Sequence, residues 1–323
     1  MQAITQDVYG SADLLQLRDI DMPVPDVDRP VLIRVRAASV NPYDWHMMTG
    51  LPYLARIGSG LRKPKHVVPG VDVAGVVEAV GPNVTQFKVG DEVFGAAKGS
   101  FAECSCARET TIAAKPTNVT FEQAASMPIA GLTALQALRD KGALQAGQHV
   151  LINGAAGGVG TFAVQIAKAF AAEVTGVCST SNVDMVRSIG ADHVIDYTAE
   201  DFASGSQRYD VIIDNIGNRS LGEYRKTLTR KGVYVIVGGP DKGNLLGPVT
   251  QLVAAKLTFL FATQKAAPLL AKHNRDDLLT LSEMITSGKV TPVIDRTCTL
   301  SEVPAALQQI STGHTRGKIV VAI

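Results

Sequence analysis

The stretch LINGAAGGVG, residues 151–160, reads as a strand that runs into a glycine-rich turn. The dinucleotide-binding pattern G-x-G-x-x-G can be laid on this stretch in two registers. One register is Ala155-x-Gly157-x-x-Gly160, in which alanine stands in the place of the first glycine. The other is Gly158-x-Gly160-x-x-Ala163, which fits the form of the pattern that ends in alanine. The residues of the stretch leave both registers open.

The residues after this turn predict a helix. Apolar or small side chains recur there with the spacing of one helical face, at Val159, Phe162, Ala163, Ile166, Ala167 and Phe170. A strand, a glycine turn and a helix in this order can hold a pyrophosphate, because backbone N–H groups and the positive helix end point at it. The candidate cofactor-binding residues of the turn are Ala155, Ala156, Gly157, Gly158, Val159 and Gly160. The alternative is a tight turn whose glycines serve only close packing of the helix.

The rest of the chain shows two different patterns of apolar and polar residues. Up to about residue 115 the alternation of apolar and polar residues indicates strands, as in VLIRVRAASV (31–40). The segment 45–68 reads as a loop that is flexible or faces the substrate. From about residue 121, short apolar strands alternate with helices, which is typical of a parallel sheet covered on both faces. We predict helices at 121–125, 127–142, 182–190, 220–232 and 275–288, and a strand at KLTFLF (256–261).

This pattern predicts an α/β protein with two domains. The tail GKIVVAI (317–323) reads as a strand that returns to the first domain, which would make that domain discontinuous. The expected division is a β-rich domain of residues 1–122 and 266–323 and a doubly wound parallel-sheet domain of residues 123–265.

The composition excludes some classes of function. The chain has 323 residues, with 31 Lys and Arg against 30 Asp and Glu, so its net charge of +1 gives no field that attracts a polyanion. We therefore expect no nucleic-acid partner. Four scattered cysteines make no disulfide framework, and no run approaches the length of a membrane span. The expectation is a cytoplasmic protein without a membrane partner.

The end of the second predicted strand of this sheet bears on the choice of coenzyme. NAD-binding chains usually carry Asp or Glu there, which binds the ribose 2′-hydroxyl. Here the strand ends at Cys178 and continues with Ser179, Thr180 and, two residues later, Asn182. Hydroxyl and backbone N–H groups can hold a 2′-phosphate where no carboxylate repels it, so we predict NADP(H). The alternative is that Ser179 and Thr180 only cap the following helix.

Ligands of doubly wound sheets collect beyond the carboxyl ends of the strands. The residues at those ends are Tyr197, Asn215, Gly238 and Gly239. Asn215 could bind the nicotinamide ribose or carboxamide, and the two glycines could admit the nicotinamide close to the backbone. Each could equally be an ordinary turn residue.

Several motifs together resemble one family. The segment GQHVLINGAAGGVGTFAVQIAK (147–168) is similar to the signature of the quinone oxidoreductase and ζ-crystallin branch of the medium-chain dehydrogenase/reductases. Supporting motifs follow in the family's order over essentially the whole chain: AASVNPYDWHMMTG, PGVDVAGVVEAVG, VGDEVFG, GLTALQAL, GADHVIDY and GKIVV. The chain is also similar to enone and alkenal reductases of this branch.

The resemblance implies a fold and further site residues. It implies a GroES-like catalytic domain, a Rossmann domain, a cleft between them and a homodimer joined through the Rossmann sheet edge. It selects the register Ala155-x-Gly157-x-x-Gly160, and it implies that Thr133 contacts the nicotinamide and that Lys318 faces the cofactor. KLTFLFA (256–262), as an apolar edge strand, would support such a dimer.

The chain departs from the zinc alcohol dehydrogenases of the same superfamily. At the positions that match their three catalytic zinc ligands it has Asn41, Val71 and Ile129. Because these side chains cannot form a tetrahedral site of nitrogen and sulfur ligands, we predict that the protein uses no metal.

Without a metal, the chemistry that suits this chain is hydride transfer from NADPH to a quinone or an α,β-unsaturated carbonyl compound. The conjugation of such an acceptor carries the negative charge onto its oxygen. Candidate groups that bind this oxygen are Asn41, Tyr43 and Tyr53. Two alternatives remain: an NADPH-binding protein with a mainly structural or binding role, as in some ζ-crystallin relatives, and a zinc alcohol dehydrogenase.

Overall fold

The computed structural model describes residues 1–239, 254–313 and 315–323. The chain divides into two compact units. Unit 1 consists of Met1–Ile129, His273–Thr286 and Ile294–Ile323. Unit 2 consists of Ala130–Lys272 and Ser287–Val293. No helix in the described part of the chain is long and apolar enough to cross a membrane.

Unit 1 is built around a six-stranded sheet with the order β13-β14-β3-β4-β5-β6, in which β3 also pairs with β6. A separate two-stranded sheet joins β1 and β2. The strands are β1 (Gln2–Thr5), β2 (Gln16–Asp19), β3 (Val31–Val40), β4 (Asp72–Val80), β5 (Glu92–Lys98), β6 (Cys104–Ala114), β13 (Ile294–Thr299) and β14 (Lys318–Ala322). Its helices are α1 (Pro42–Thr49), α2 (Arg56–Ser59), α3 (Phe121–Ala125), α9 (Arg275–Thr286) and α10 (Val303–Ser311).

The central strand β3 positions the polar groups of unit 1. It is buried on the inward face and exposes Arg34 and Arg36, as the sequence alternation predicts. The terminal strand β14 pairs antiparallel with β3 in the register Ile319 to Val40. This register brings Lys318, the first residue of β14, to the carboxyl end of β3, where α1 begins.

Unit 2 contains one parallel six-stranded sheet with the order β12-β11-β10-β7-β8-β9. The strands are β7 (His149–Asn153), β8 (Glu173–Cys178), β9 (His193–Asp196), β10 (Tyr209–Asp214), β11 (Leu228–Ile236) and β12 (Lys265–Pro268). Its helices are α4 (Pro128–Gln136, with its first two residues in unit 1), α5 (Gly158–Ala169), α6 (Val183–Ser188), α7 (Leu221–Thr227) and α8, described at 254–259. This is the doubly wound order of the Rossmann fold, and the α/β prediction is confirmed.

The structure corrects three sequence predictions. Residues 254–259, predicted to be a strand from position 256, are helical. Ala255 and Phe259 are buried one helical turn apart, whereas Leu257, Leu260 and Phe261 are exposed, so the apolar period is that of a helix. The argument for a dimer from an apolar edge strand at 256–262 is therefore wrong. Among the described strands of this sheet, the two at its edges are β12 and β9.

The other two corrections concern the ends of elements. The helix predicted at 220–232 ends at Thr227, because Leu228 already pairs with Tyr209 of the neighbouring strand β10. The segment 45–68, predicted to be a loop, includes most of α1 and all of α2.

The strand order of unit 2 reverses between β7 and β10, and a buried carboxylate joins these strands at their carboxyl ends. Asp214 Oδ1 accepts hydrogen bonds from Asn153 Nδ2 (2.9 Å) and from the N–H of Gly217 (2.9 Å). Its Oδ2 accepts one from Tyr234 Oη (2.6 Å). The ring of Tyr234 stacks on that of Tyr224, with centroids 4.4 Å apart. Asp214 thereby fixes the two strand ends that frame the ligand-binding point of such a sheet.

Removal of the Tyr234 hydroxyl measures how much a hydrogen bond to Asp214 stabilises unit 2. We expect Tyr234→Phe to lower the free energy of unfolding of unit 2 by about 1.5–3 kcal/mol, because a buried carboxylate loses a donor. Tyr209→Phe, which removes another buried hydroxyl of unit 2, but one that bonds the neutral Thr175, is the matched control and should cost only about 1 kcal/mol. Urea unfolding followed by circular dichroism measures both, and equal losses would contradict the role given to Asp214.

Candidate functional site

The glycine-rich turn of unit 2 connects β7 to the N-terminus of α5. Gly157 is the N-cap residue of α5 and has extended backbone (φ −78°, ψ 177°). The side chains of Ala155 and Ala156 are buried, whereas Gly157, Gly158 and Val159 are partly exposed. The exposed edge of the turn therefore presents the first N–H groups of a twelve-residue helix, the geometry that binds a phosphate group.

The positions of this turn differ in whether their backbone conformation or their packing requires glycine. Gly154 has a positive φ of 80°. A Cβ on Gly160 would lie 2.1 Å from the carbonyl oxygen of Gly154, so close packing of α5 on the turn requires glycine there. At Gly157 the backbone is of a kind that any residue adopts, and a Cβ would meet only the Gly154 oxygen, at 3.6 Å. No described residue packs closely enough to exclude a side chain at position 157, so the backbone there is open to the approach of a ligand.

The neighbouring strand ends give a second sign of a ligand. Asn215 Nδ2 donates to the carbonyl oxygen of Asn153 (2.9 Å), but the buried Asn215 Oδ1 has no partner among the described residues. Gly238 follows β11, and a Cβ there would lie 2.2 Å from the carbonyl oxygen of Asn215. The backbone at 238 thus lies directly against the end of β10, while Gly239 is exposed. A dinucleotide extended across the carboxyl ends of the strands would fit these features: the Gly157 turn, the Asn215 side-chain amide and the backbone at Gly238 and Gly239.

The segment after β8 holds the residues predicted to bind the adenosine ribose. Ser179 is hydrogen-bonded by Asn182 Nδ2 (3.0 Å). Thr180 Oγ1 donates to Asp196 Oδ2 (2.6 Å), and Tyr197, which follows Asp196, is exposed. Asp196 was missed by sequence reasoning, which looked for a carboxylate only at the end of β8. The premise that no carboxylate lies at this edge is therefore wrong, since Asp196 supplies one from β9.

Unit 1 contains a buried polar cluster at the carboxyl end of β3. Asp72 Oδ2 accepts hydrogen bonds from Ser39 Oγ (2.8 Å) and Asn41 Nδ2 (2.9 Å), and its Oδ1 accepts one from the N–H of Ile129 (3.0 Å). The Lys318 ammonium donates to Asn41 Oδ1 and lies 3.4 Å from Asp72 Oδ2. Asp72, Asn41 and Lys318 are all buried. A buried ammonium is tolerated only when paired in this way.

A second carboxylate of this cluster, Asp44, titrates near neutral pH. Its Oδ2 accepts the N–H of Asn41 (2.9 Å). Burial, and then the negative charge of Asp72, raise the pKa of Asp44 to about 7. Burial lowers the pKa of Lys318, although Asp72 and Asp44 oppose that shift. Burial likewise lowers the pKa of His273, against the effect of Asp72. Near neutral pH the Asp44 carboxyl therefore titrates beside the paired Lys318 and Asp72.

The positions that match zinc ligands in the alcohol dehydrogenases gather around Asp72. Asn41 and Ile129 bond its carboxylate directly, and Val71 precedes it in the chain. Of these three residues, Asn41 also accepts a hydrogen bond from the Lys318 ammonium, which lies 3.4 Å from Asp72 Oδ2. Within residues 1–239, 254–313 and 315–323, no three His, Cys, Asp or Glu side chains form a set that could hold a metal ion.

The two candidate tyrosines of unit 1 are both about half exposed. Tyr43 lies in the first turn of α1, and its hydroxyl has no hydrogen-bond partner among the described residues. Burial of its ring, and then Asp44, raise the pKa of Tyr43, which keeps the hydroxyl protonated as a donor. The Tyr53 ring instead lies under the Arg56 guanidinium, 4.6 Å from its centroid, and Tyr9 covers the same cation at 4.4 Å.

The structure brings some predicted site residues together and gives others different partners. Asn41 and Lys318, predicted to meet the acceptor and the cofactor, bond each other inside unit 1. The Asn41 amide uses its oxygen on Lys318 and its nitrogen on Asp72, so both of its polar atoms are engaged. Thr133 lies buried on α4. The roles of these residues toward ligands stay predictions.

Sequence reasoning missed Asp44, Asp72 and His273 in this cluster and Asp214 in unit 2. Asp44 and Asp72 stand inside the motifs SVNPYD and PGVDVAG, where they were read only as neighbours of absent zinc ligands. Asp214 ends β10 directly after the apolar run VII (211–213), and a carboxylate at the buried end of a strand was the signal for it.

The raised pKa of Asp44 predicts a pH-dependent stability. Its pKa is about 3.9 when unfolded and about 7 when folded, so the folded state binds the proton more tightly between these values. The stabilisation is full below about pH 4 and is lost as the pH rises through 7. We expect the free energy of unfolding of the wild type, relative to Asp44→Asn, to fall by roughly 2–4 kcal/mol between pH 5 and pH 8.

Urea unfolding followed by the fluorescence of Trp45 measures this difference, since Trp45 is the single tryptophan and lies on α1. The control is Asp276→Asn, which removes an exposed carboxylate of the same unit. A difference that does not change with pH, or one that grows with pH, would contradict an elevated pKa of Asp44.

Two family descriptions match the chain. Residues 28–169 match the alcohol dehydrogenase GroES-like domain, and residues 189–321 match the zinc-binding dehydrogenases. Unit 1 contains the predicted GroES-like fold, and the Rossmann sheet of unit 2 lies in the chain between the first and the later parts of unit 1.

Relatives match over the full length. A mitochondrial NAD(P)H oxidoreductase of Bos taurus is 35% identical, over 100% of this chain and 89% of its own. A chloroplastic NADPH-dependent alkenal/one oxidoreductase of Arabidopsis thaliana is 35% identical, over 99% of this chain and 79% of its own. The solved quinone oxidoreductase of Coxiella burnetii is 32% identical and superposes with a TM-score of 0.87, over 100% of this chain and 99% of that one. The chain belongs to the medium-chain dehydrogenase/reductase superfamily, as a homologue of its quinone oxidoreductases and enone reductases.

Proposed function

We propose that the protein is an NADPH-dependent reductase of quinones or α,β-unsaturated carbonyl compounds that works without a metal. The observation that carries the proposal is the open backbone at Gly157, at the N-terminus of α5 and beside the reversal of strand order in unit 2. A dinucleotide is the ligand that such a turn takes. We assign the coenzyme to unit 2 and the binding of the acceptor to unit 1.

Different residues of unit 2 would bind different parts of the coenzyme. Gly157 and Gly158 would bind the pyrophosphate, and Ser179, Thr180 and Asn182 the adenosine ribose with its 2′-phosphate. The unpartnered oxygen of Asn215 would accept a hydrogen bond from the nicotinamide ribose or carboxamide. When bound, the reduced nicotinamide supplies a hydride, and the protein's part is to orient it and exclude water. The relative that is named NADPH-dependent supports this choice of coenzyme over NADH.

In unit 1, Tyr43 is the group we assign to the acceptor oxygen. Its hydroxyl is exposed, protonated and without another partner in the described residues. It would stabilise the charge that develops on this oxygen and could deliver a proton there. We give Asn41 a positioning role instead, because its amide holds Lys318 and Asp72. Tyr53 would form a wall of the acceptor site, fixed by Arg56.

The donor set of unit 1 supports catalysis without a metal. Asn41 already accepts from an ammonium, and Val71 and Ile129 offer no ligand side chain. A conjugated acceptor needs no Lewis acid, since its own π-system carries the charge to oxygen. A zinc alcohol dehydrogenase is therefore the less favoured function, as is a mainly structural role like that of some ζ-crystallin relatives.

Three further assignments complete the proposal. We propose a homodimer through the edge of the unit 2 sheet, as the family resemblance implies. The net charge of +1 supports the absence of a nucleic-acid partner. A cytoplasmic location remains our expectation, although the relatives described above are named mitochondrial and chloroplastic.

Gly157 allows a test of the coenzyme site that leaves the fold intact. We expect Gly157→Ala to fold and to lower the melting temperature by no more than a few degrees, because its Cβ meets one described atom at 3.6 Å and alanine is a poorer N-cap than glycine. The same Cβ would obstruct the pyrophosphate and raise the Kd for NADPH by roughly tenfold or more. Isothermal titration calorimetry measures the Kd, with Gly222→Ala on α7 as the control. Unchanged affinity in Gly157→Ala would refute the placement of the pyrophosphate.

The reaction is tested with the purified protein and a panel of quinones, 2-alkenals, enones and saturated aldehydes, with NADPH or NADH and with or without a chelator. We expect turnover of the conjugated acceptors only, unaffected by the chelator and faster with NADPH. Tyr43→Phe should lower kcat/KM by roughly tenfold or more, since one hydrogen bond to developing charge is lost. Tyr53→Phe, which keeps the ring under Arg56, should have little effect.

No turnover of any conjugated acceptor would overturn the proposed reaction. Activity that a chelator abolishes would favour the zinc alcohol dehydrogenase instead. A larger loss in Tyr53→Phe than in Tyr43→Phe would exchange the roles of the two tyrosines.

A further inference from the structure

The carboxylate of Asp196 lies at the edge of unit 2 where the ribose residues are. Asp196 ends β9, and its neighbour in the sheet register is Cys178, the last residue of β8. Its Oδ2 accepts from Thr180 Oγ1 (2.6 Å), and its Oδ1 accepts from the hydroxyl (2.8 Å) and N–H (3.0 Å) of Thr198. These three hydrogen bonds fix the Asp196 carboxylate beside Thr180, in the segment that follows β8.

This edge is where the adenosine ribose of a dinucleotide lies in a doubly wound sheet. The pyrophosphate sits at the first βα turn, and the 2′ position of the ribose meets the end of the next strand. In this chain those places are the turn at Gly157 and the end of β8 at Cys178. A carboxylate there accepts a hydrogen bond from a 2′-hydroxyl, and it repels a 2′-phosphate.

The charges around the end of β8 do not cancel that of Asp196. Asp196 and Arg187 act in opposite directions on the pKa of the Cys178 thiol, which burial raises to about 11, so both charges bear on this strand end. The Arg187 side chain is mostly exposed and lies 4.0 Å from Asp184, which shares its charge. The hydrogen bonds from Thr180 and Thr198 lower the pKa of Asp196 and keep it ionised.

We infer that Asp196 determines how strongly this protein distinguishes NADPH from NADH. The carboxylate, held by Thr180 and Thr198 beside the end of β8, accepts from the 2′-hydroxyl of NADH and opposes the 2′-phosphate of NADPH. The Ser179 hydroxyl, the Asn182 side-chain amide and backbone N–H groups of this segment bind the phosphate against this repulsion, while the Thr180 hydroxyl stays on Asp196. The protein consequently uses both coenzymes, with a preference for NADPH that is small. This inference rests on the proposed function, which places a dinucleotide on unit 2.

Calorimetric Kd values for NADPH and NADH test the inference without recourse to activity. The variants are Asp196→Asn and Asp196→Ser, and the first keeps an oxygen that can accept from the N–H of Thr198. The control is Asp140→Asn, which removes an exposed carboxylate of unit 2 in the segment before β7, away from the carboxyl ends of the strands. Each titration is done at 0.05 M and at 0.5 M NaCl.

We expect Asp196→Asn to lower the Kd for NADPH by about fivefold to tenfold at low salt, since one repulsive charge is removed. The Kd for NADH should stay within about twofold or rise. At 0.5 M NaCl the gain for NADPH should shrink to about twofold, because screening at that salt acts within a few ångströms. Asp140→Asn should leave both values unchanged.

A ratio of the two Kd values that is the same in the wild type and in both Asp196 variants overturns this inference alone. A wild type that prefers NADPH by a hundredfold or more also overturns it. A wild type that binds neither coenzyme overturns the proposed function, and this inference with it.

Discussion

The buried carboxylate of Asp214 is the constraint on which the sheet of unit 2 depends. It ties the end of β10 to Asn153 at the end of β7, and it takes a further hydrogen bond from Tyr234 of β11. These strands lie on either side of the reversal of strand order, so their ends frame the place where a doubly wound sheet binds its ligand. The glycine turn begins at the very next residue after Asn153. The buried, hydrogen-bonded Asp214 carboxylate therefore fixes these strand ends, from which the turn with the open backbone at Gly157 starts.

A second buried charge organises unit 1. The pairing of β14 with β3 places Lys318 in the interior of unit 1, where its ammonium is bound by Asp72 and Asn41. In consequence Asn41, which starts α1, is fixed by three groups, and the neighbouring Tyr43 is presented toward solvent at a fixed place. Loss of one member would leave an uncompensated buried charge, which costs far more than the pair contributes. At two of the positions that match zinc ligands, the Asn41 amide and the N–H of Ile129 bond the Asp72 carboxylate, next to the Lys318 ammonium.

Much of the fold was predictable from the sequence, and the reasons are local. The alternation of β3, the helical period of α5 and the strand–turn–helix at 151–160 depend on short-range patterns, which hydrophobic spacing reports well. The helix at 254–259 was mistaken for a strand because a short run of apolar and aromatic residues suits either element until its burial is known. The site was harder. Asp196 reaches Thr180 from a neighbouring strand, and Lys318 meets Asn41 across most of the length of the chain. Such contacts follow from strand register, and a search for a carboxylate at one position of one strand does not find them.

The central claim is that unit 2 binds a dinucleotide through the exposed backbone of the Gly157 turn while the Lys318 cluster stays intact in unit 1. A crystal structure of the protein with NADPH tests it most directly. The account predicts the pyrophosphate at the N–H groups of Gly157 and Gly158 and a partner for Asn215 Oδ1. It also predicts the Lys318 ammonium still on Asn41 and Asp72. A pyrophosphate bound elsewhere, or a metal ion held by Asn41 and Asp72 in place of Lys318, would contradict the account.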